Sequence, residues 1–174
     1  MEDHKKESIL EEIMLEHGND LVRLAFTYVK NEENAKDIVQ NTFIKCYQHL
    51  EKFRYESTLK TWLYRITING CKDYLRSWHH RKVQVKNFVQ EAVKSLLPSV
   101  EDNMIREEEK QEISKYILSL PKIYREVIIL YYYESLIIDE IAEVTELNAS
   151  TVKTRLRRAR QKLKLMMEEA GIYG

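Results

Sequence analysis

Between Lys153 and Lys164 the chain carries seven cationic side chains and no acid. Wound as a helix at 100° per residue, Val152, Leu156, Ala159 and Leu163 line up as one apolar stripe. Ser150, Lys153, Thr154, Arg157, Arg158 and Gln161 fall on the opposite side. Short hydroxyl donors at the start of such a face can reach base edges in a major groove, while Lys and Arg further along hold phosphates. Thr151 and Arg155 belong to the same run and join the candidate set. A second surface suits unpaired nucleic acid. Arg65, Asn69, Lys72 and Arg76 recur at spacings of 4, 3 and 4, a single stripe on a helix. Trp62 and Tyr64 flank it, and cations interleaved with rings can meet phosphates and unstacked bases together. Each ring can equally belong to a core.

Residues for covalent or metal chemistry do not assemble. Gly18, Gly70, Gly171 and Gly174 are too scattered for a phosphate-cradling loop. Neither Glu-x-x-His nor His-Glu-x-x-His occurs. His79 and His80 are adjacent, so a helix points them in different directions, whereas a zinc site needs three or four converging ligands. Cys46 falls on an apolar face and reads as a small buried hydrophobe, with no base nearby to activate it. Asn148-Ala149-Ser150 matches a glycosylation acceptor, but no secretory signal precedes it. No catalytic residue, metal or cofactor is therefore expected.

Helices must position these residues. Only four Gly and two Pro interrupt a chain rich in Leu, Ile, Glu and Lys, so an all-α protein is expected. Gly18 is expected to break a first helix. Asn31 should cap a second, from Glu32 to about His49, with an apolar face of Ala35, Val39, Phe43, Cys46 and Leu50. Asp37, Asn41, Ile44 and Gln48 lie opposite that face, with Gln40 at its edge. An Ile on a wet face among polar residues suits a partner-docking helix. Ser57 or Thr58 should cap a long third helix reaching about Ser77, its core face Leu59, Leu63, Ile66 and Gly70. Pro98 and weak periodicity mark a flexible linker. Pro121 should open a helix to about Glu134. A short helix around Asp139–Thr145, the turn Glu146-Leu147-Asn148 and a last helix from Ala149 to Glu169 then make a helix-turn-helix. The expected organisation is a bundle over residues 1–80, a linker over 81–110 and a helix-turn-helix domain over 111–174.

The 28 basic and 28 acidic groups cancel, but they are segregated. Residues 60–90 carry 7 basic groups and 1 acid, whereas 1–59 carry 8 and 12, and 91–112 carry 3 and 7. Two separate cationic patches point to a polyanion touched at two places. The longest apolar run, Val127 to Tyr133, has seven residues where a membrane span needs about 20. Two lone cysteines make no disulfide framework, so a reducing cytoplasm is the expected setting.

Taken in order, these segments resemble a bacterial extracytoplasmic-function (ECF) RNA polymerase sigma factor of the minimal two-domain kind. The resemblance rests on Asp37-Ile38-Val39-Gln40-Asn41-Thr42-Phe43-Ile44-Lys45, Thr61-Trp62-Leu63-Tyr64-Arg65-Ile66-Thr67-Ile68-Asn69 and Asp73-Tyr74-Leu75-Arg76. In the second block it rests on Leu120-Pro121, Arg125, Glu140-Ile141-Ala142-Glu143 and Thr151 to Ala159. It implies a transcription initiation factor, active in stress responses, that guides core polymerase to promoters. The helix holding Asp37, Gln40, Asn41 and Ile44 would meet the clamp helices of the largest subunit. The second domain would meet the flap of the second subunit. Phe53, Arg54 and Ser57 would receive a flipped base of the −10 element, and Trp62, Arg65, Asn69, Lys72 and Arg76 would help open it. Ser150, Thr151, Lys153, Thr154, Arg155, Arg157 and Arg158 would read the −35 element. An anti-sigma factor, free or membrane-anchored, would hold the protein inactive, and the chain itself would not insert into a membrane. Leu136-Ile137-Ile138 is unusually apolar for the family and reads as extra core or as a partner-facing patch. A stand-alone helix-turn-helix regulator and a DNA-processing enzyme are the rival classes. The first leaves the Arg65–Arg76 stripe unused, and the second lacks a nucleophile or metal cluster.

Overall fold

The computed structural model describes residues 3–53, 56–79 and 104–172. Arg54 and residues 81–103 of the expected linker lie outside these. The described residues contain seven α-helices and no strand. They are α1 (Asp3–Val29), α2 (Glu32–His49), α3 (Leu59–His79), α4 (Met104–Ser119), α5 (Lys122–Ile128), α6 (Ile138–Thr145) and α7 (Ala149–Glu169). They form two compact units, one built on α1–α3 and the other on α4, α5, α7 and most of α6. Because α4 starts at Met104, residues 104–110 of the stretch expected as linker are helical.

Helix α1 does not break at Gly18. It runs through the glycine and ends at Lys30, whose left-handed backbone (φ 54°) lets its N–H donate to Phe26 O at 2.8 Å. A glycine inside a helix costs about 1 kcal/mol. Burying a large apolar side chain returns about 2 kcal/mol, and α1 buries Ile13 on one side of Gly18 and Leu21, Leu24 and Phe26 on the other.

Asn31 caps α2 as expected, its side chain accepting from Asn34 N at 2.9 Å. Glu32 and Glu33 sit in the first turn, where the helix dipole favours acids. Ala35, Val39, Phe43 and Cys46 are buried against the other two helices. Thr58 Oγ1 caps α3 by accepting from Thr61 N at 3.1 Å. The buried side of α3 is not the expected one. It is formed by Leu63, Tyr64, Thr67, Ile68 and Cys71, while Leu59, Ile66 and Gly70 are only half-buried. Two threonines explain the rotation. Thr67 Oγ1 donates to Leu63 O at 2.9 Å and Thr42 Oγ1 to Ile38 O at 3.0 Å, so each hydroxyl is satisfied within its own helix and the methyl can pack. The two hydroxyls also meet across the α2–α3 contact at 3.2 Å. Gly70 lets these helices approach, since a Cβ there would stand 3.2 Å from Ile38 Cγ2.

In the second unit Pro121 takes the N-cap position of α5. The buried Arg125 reaches back to donate to Leu118 O at 2.8 Å, tying α5 to the end of α4. Helix α5 continues as one π-turn, Ile129–Tyr133, closed by Glu134 N–H on Ile129 O at 3.1 Å. Ser135, at φ 56°, then turns the chain toward α6. Leu136 is buried and Ile137 is exposed, so the apolar triplet divides between core and surface. Glu146, at φ 58°, ends α6, with Leu147 N donating to Ala142 O at 3.0 Å. Asn148 caps α7 by accepting from Thr151 N at 2.8 Å. Val152, Leu156 and Ala159 pack into the core, and Leu163 is half-buried.

Candidate nucleic-acid interface

Helix α7 presents the face expected from its periodicity. Ser150, Lys153, Arg157 and Arg158 are exposed, and Thr154 and Thr151 are half-buried. Ser150 donates its hydroxyl to Asn148 Oδ1 at 2.8 Å, so the cap and the first polar side chain of this face are joined. Arg155 departs from the set. Its guanidinium turns back toward α5, where Nη1 lies 3.8 Å from Oε2 of the buried Glu126.

On α3, Arg65 and Arg76 are exposed and Asn69 and Lys72 half-buried. Arg76 shares its charge with Asp73 at 3.3 Å, an exposed pair that costs little to open. The two rings beside this stripe separate. Tyr64 is fully buried and serves the core. Trp62 is half-buried and stacks on Phe53, the centroids 5.0 Å apart and the planes 30° from parallel. Phe53 and Ser57 flank the start of α3, so a stacked aromatic pair stands at the N-terminal end of the cation stripe. Ring faces of this kind accept unpaired bases regardless of sequence.

Helix α2 is a ridge with a groove on either side. Asp37, Gln40, Asn41, Ile44 and Gln48 are all exposed, Ile44 by 48%. Toward α1 lies a groove of about 600 Å³ floored by Leu10, Met14, Val39, Phe43 and Tyr47. Toward α3 lies a more polar one of about 430 Å³, bordered by Asp37, Asn41, Lys45, Asp73 and Tyr74. Ile44 edges both. The ridge was readable from the α2 spacing, but the floor of the first groove was not, because α1 supplies Leu10 and Met14. The second unit holds another groove of about 600 Å³, lined by Ile113, Ile117, Ile128, Tyr132, Leu163 and Met167. The sequence offered one sign of it, the apolar positions of α7 continuing past Ala159. Its remaining walls come from α4, α5 and the π-turn.

Among the described residues no group of His, Cys, Asp or Glu could hold a metal ion, and no helix is long and apolar enough to cross a membrane. Burial pushes the Cys46 thiol up to about 11. It also raises the Tyr133 hydroxyl, against the opposing effect of a hydrogen bond with Ser114.

Comparison with known proteins accounts for both units. Residues 13–81 match the family model described as Sigma-70 region 2, and residues 110–163 match Sigma-70, region 4. The chain is 37% identical over 159 residues to RNA polymerase sigma factor SigV of Bacillus subtilis (strain 168), covering 91% of this chain and 89% of that one. It is 31% identical over 156 residues to the ECF RNA polymerase sigma-E factor of Escherichia coli (strain K12), covering 86% and 81%. Two solved structures share the fold at 23% identity. One is RpoE in complex with the anti-sigma factor NepR from Bartonella quintana, with a TM-score of 0.68 and coverage of 97% and 98%. The other is CnrH in complex with the cytosolic domain of CnrY, with a TM-score of 0.67 and coverage of 94% and 90%.

Proposed function

The chain belongs to the ECF class of RNA polymerase sigma factors, and from that membership we infer how its surfaces divide the work. It is a transcription initiation factor that combines with core RNA polymerase and directs it to promoters; its family is one of sigma factors, not of enzymes. The observation that carries this is a relative aligned across both domains, over 91% of the chain.

In our reading the α2 ridge of Asp37, Gln40, Asn41 and Ile44 docks on the clamp helices of the largest subunit. The exposed Ile44 between two grooves supports this, because a helix laid alongside would bury it. The groove lined by Ile113, Ile117, Leu163 and Met167 takes the flap of the second subunit, and its apolar lining suits an amphipathic helix. The Phe53–Trp62 stack receives an unpaired −10 base, with Arg54 and Ser57 completing that loop. Arg65, Asn69, Lys72 and Arg76 hold the strand as it opens. Ser150, Thr151, Lys153, Thr154, Arg157 and Arg158 face the −35 duplex. The residues between about 81 and 103 join the two domains.

Of two structures of similar fold, one is by its description the sigma factor RpoE bound to the anti-sigma factor NepR, and the other is CnrH bound to the cytosolic domain of CnrY. We assign this chain a protein inhibitor of the same kind, free or membrane-anchored, competing for the α2 ridge and the second-unit groove in the cytoplasm. Run-off transcription with core polymerase on a promoter library tests the whole reading. Transcripts should depend on both proteins and start downstream of paired −35 and −10 elements. Sequence-specific duplex binding by the chain alone, with no transcription when core polymerase is added, would overturn it.

A further inference from the structure

We propose that Arg155, although it lies within the cationic run of α7, is a positioning residue that sets the recognition helix against α5 through Glu126 and makes no phosphate contact. The inference rests on α7 being the duplex-facing helix, as proposed above. Three observations carry it. On a wheel of 100° per residue, Arg155 stands about 140° from Ser150, beside the stripe of Val152, Leu156 and Ala159. Lys153 and Arg157 lie around the far side, and Arg158 stands about 60° away. Its side chain is 24% exposed, and Nη1 lies 3.8 Å from Oε2 of Glu126, whose side chain is 4% exposed. Glu126 stands on α5 among the buried Arg125, Val127 and Ile128, so its carboxylate is fixed to the core. A buried carboxylate is costly unless compensated. Arg155 reaches it from the second turn of α7 and thereby ties that helix to α5. A guanidinium engaged with Glu126 is turned toward α5 rather than toward the duplex.

The test uses holoenzyme, reconstituted with each variant, on promoter DNA. Affinity and −35 specificity are measured against salt, at a temperature where thermal melting shows each variant folded. Each phosphate contact contributes about −0.9 to the log–log salt slope. Arg155→Gln should weaken −35 binding by about tenfold, within the range for coupled neighbours, and lower the preference over a scrambled −35 site. Its salt slope should equal that of the parent. Glu126→Gln combined with Arg155→Gln removes the charge that Arg155 faces and should recover most of the loss. A slope reduced by about 0.9 in Arg155→Gln, with no recovery in the double variant, would make Arg155 a phosphate contact and overturn the proposal. So would affinity and preference unchanged in both variants. Lys153→Ala and Arg158→Ala are the controls for the underlying reading, since each should reduce the slope. If neither does, α7 is not the DNA face, a failure separable from the behaviour of Arg155.

Discussion

At the scale of single residues, burial and capping outweigh reactivity. Cys46 is enclosed by the α1–α3 core, and desolvation moves its thiol from an ordinary value near 9 up to about 11. Folding thus favours the neutral thiol. Its contribution to stability is complete below about pH 9 and is lost as pH rises through about 11. Native protein at pH 8 should therefore resist thiol-specific alkylation at Cys46, and denaturant should release it. Rapid modification of Cys46 in the native state, read by mass spectrometry, would contradict this. Asn148 acts through geometry alone. Its Oδ1 serves both Thr151 N and the Ser150 hydroxyl, each at 2.8 Å. Asn148→Ala should cost about 1 kcal/mol, a drop of a few degrees in the melting temperature of the second unit, measured by calorimetry.

At the scale of elements, the close approach of α2 and α3 shapes the first unit. A Cβ on Gly70 would press on Ile38 Cγ2 at 3.2 Å, so Ile38 must give way to any side chain there. Gly70→Val should destabilise this unit by about 1–3 kcal/mol through overpacking, read from urea unfolding midpoints. A variant as stable as the parent would mean that the helices part without cost. The outer face of α2 is free of such demands. Asp37→Arg with Ile44→Glu alters two exposed side chains, so helicity and melting should be retained. Co-purification with core polymerase should fall by about tenfold or more, as expected when anchors of a docking helix are lost. Undiminished co-purification would remove the α2 ridge from the interface.

At the scale of the whole molecule, charge is balanced while its distribution is not. Cations concentrate in residues 60–90 and on α7, and acids in 1–59 and 91–112. With a screening length of about 8 Å at physiological salt, a DNA duplex senses each patch locally and gains little from a long-range field. The free protein should accordingly bind promoter duplex weakly, and core polymerase should raise the affinity by supplying the remaining contacts. Mobility shifts at physiological ionic strength, with and without core polymerase, measure this. Tight, specific binding by the free chain would show that α7 suffices alone.

Much of the architecture follows from local chemistry and was readable in the sequence. Asn31 had to start a helix because its side chain can replace a missing backbone acceptor, and it does so at Asn34 N. The polar face of α7 follows from angles within one helix, which no distant residue can alter. Sequence order was also enough to identify the family. Tertiary packing decided what an isolated helix cannot. Gly18 lies in an unbroken helix because residues on both sides of it find a shared core. Tyr64 is inside and Trp62 at the surface because α1 and α2 cover one side of α3. Thr42 and Thr67 look polar in a pattern, yet their hydroxyls are satisfied by their own helices and they pack like small hydrophobes. Arg155 looks like its cationic neighbours until Glu126, on another helix, claims it. Periodicity gives the angle of each side chain around its own axis; which of those angles is buried depends on helices far away in the chain.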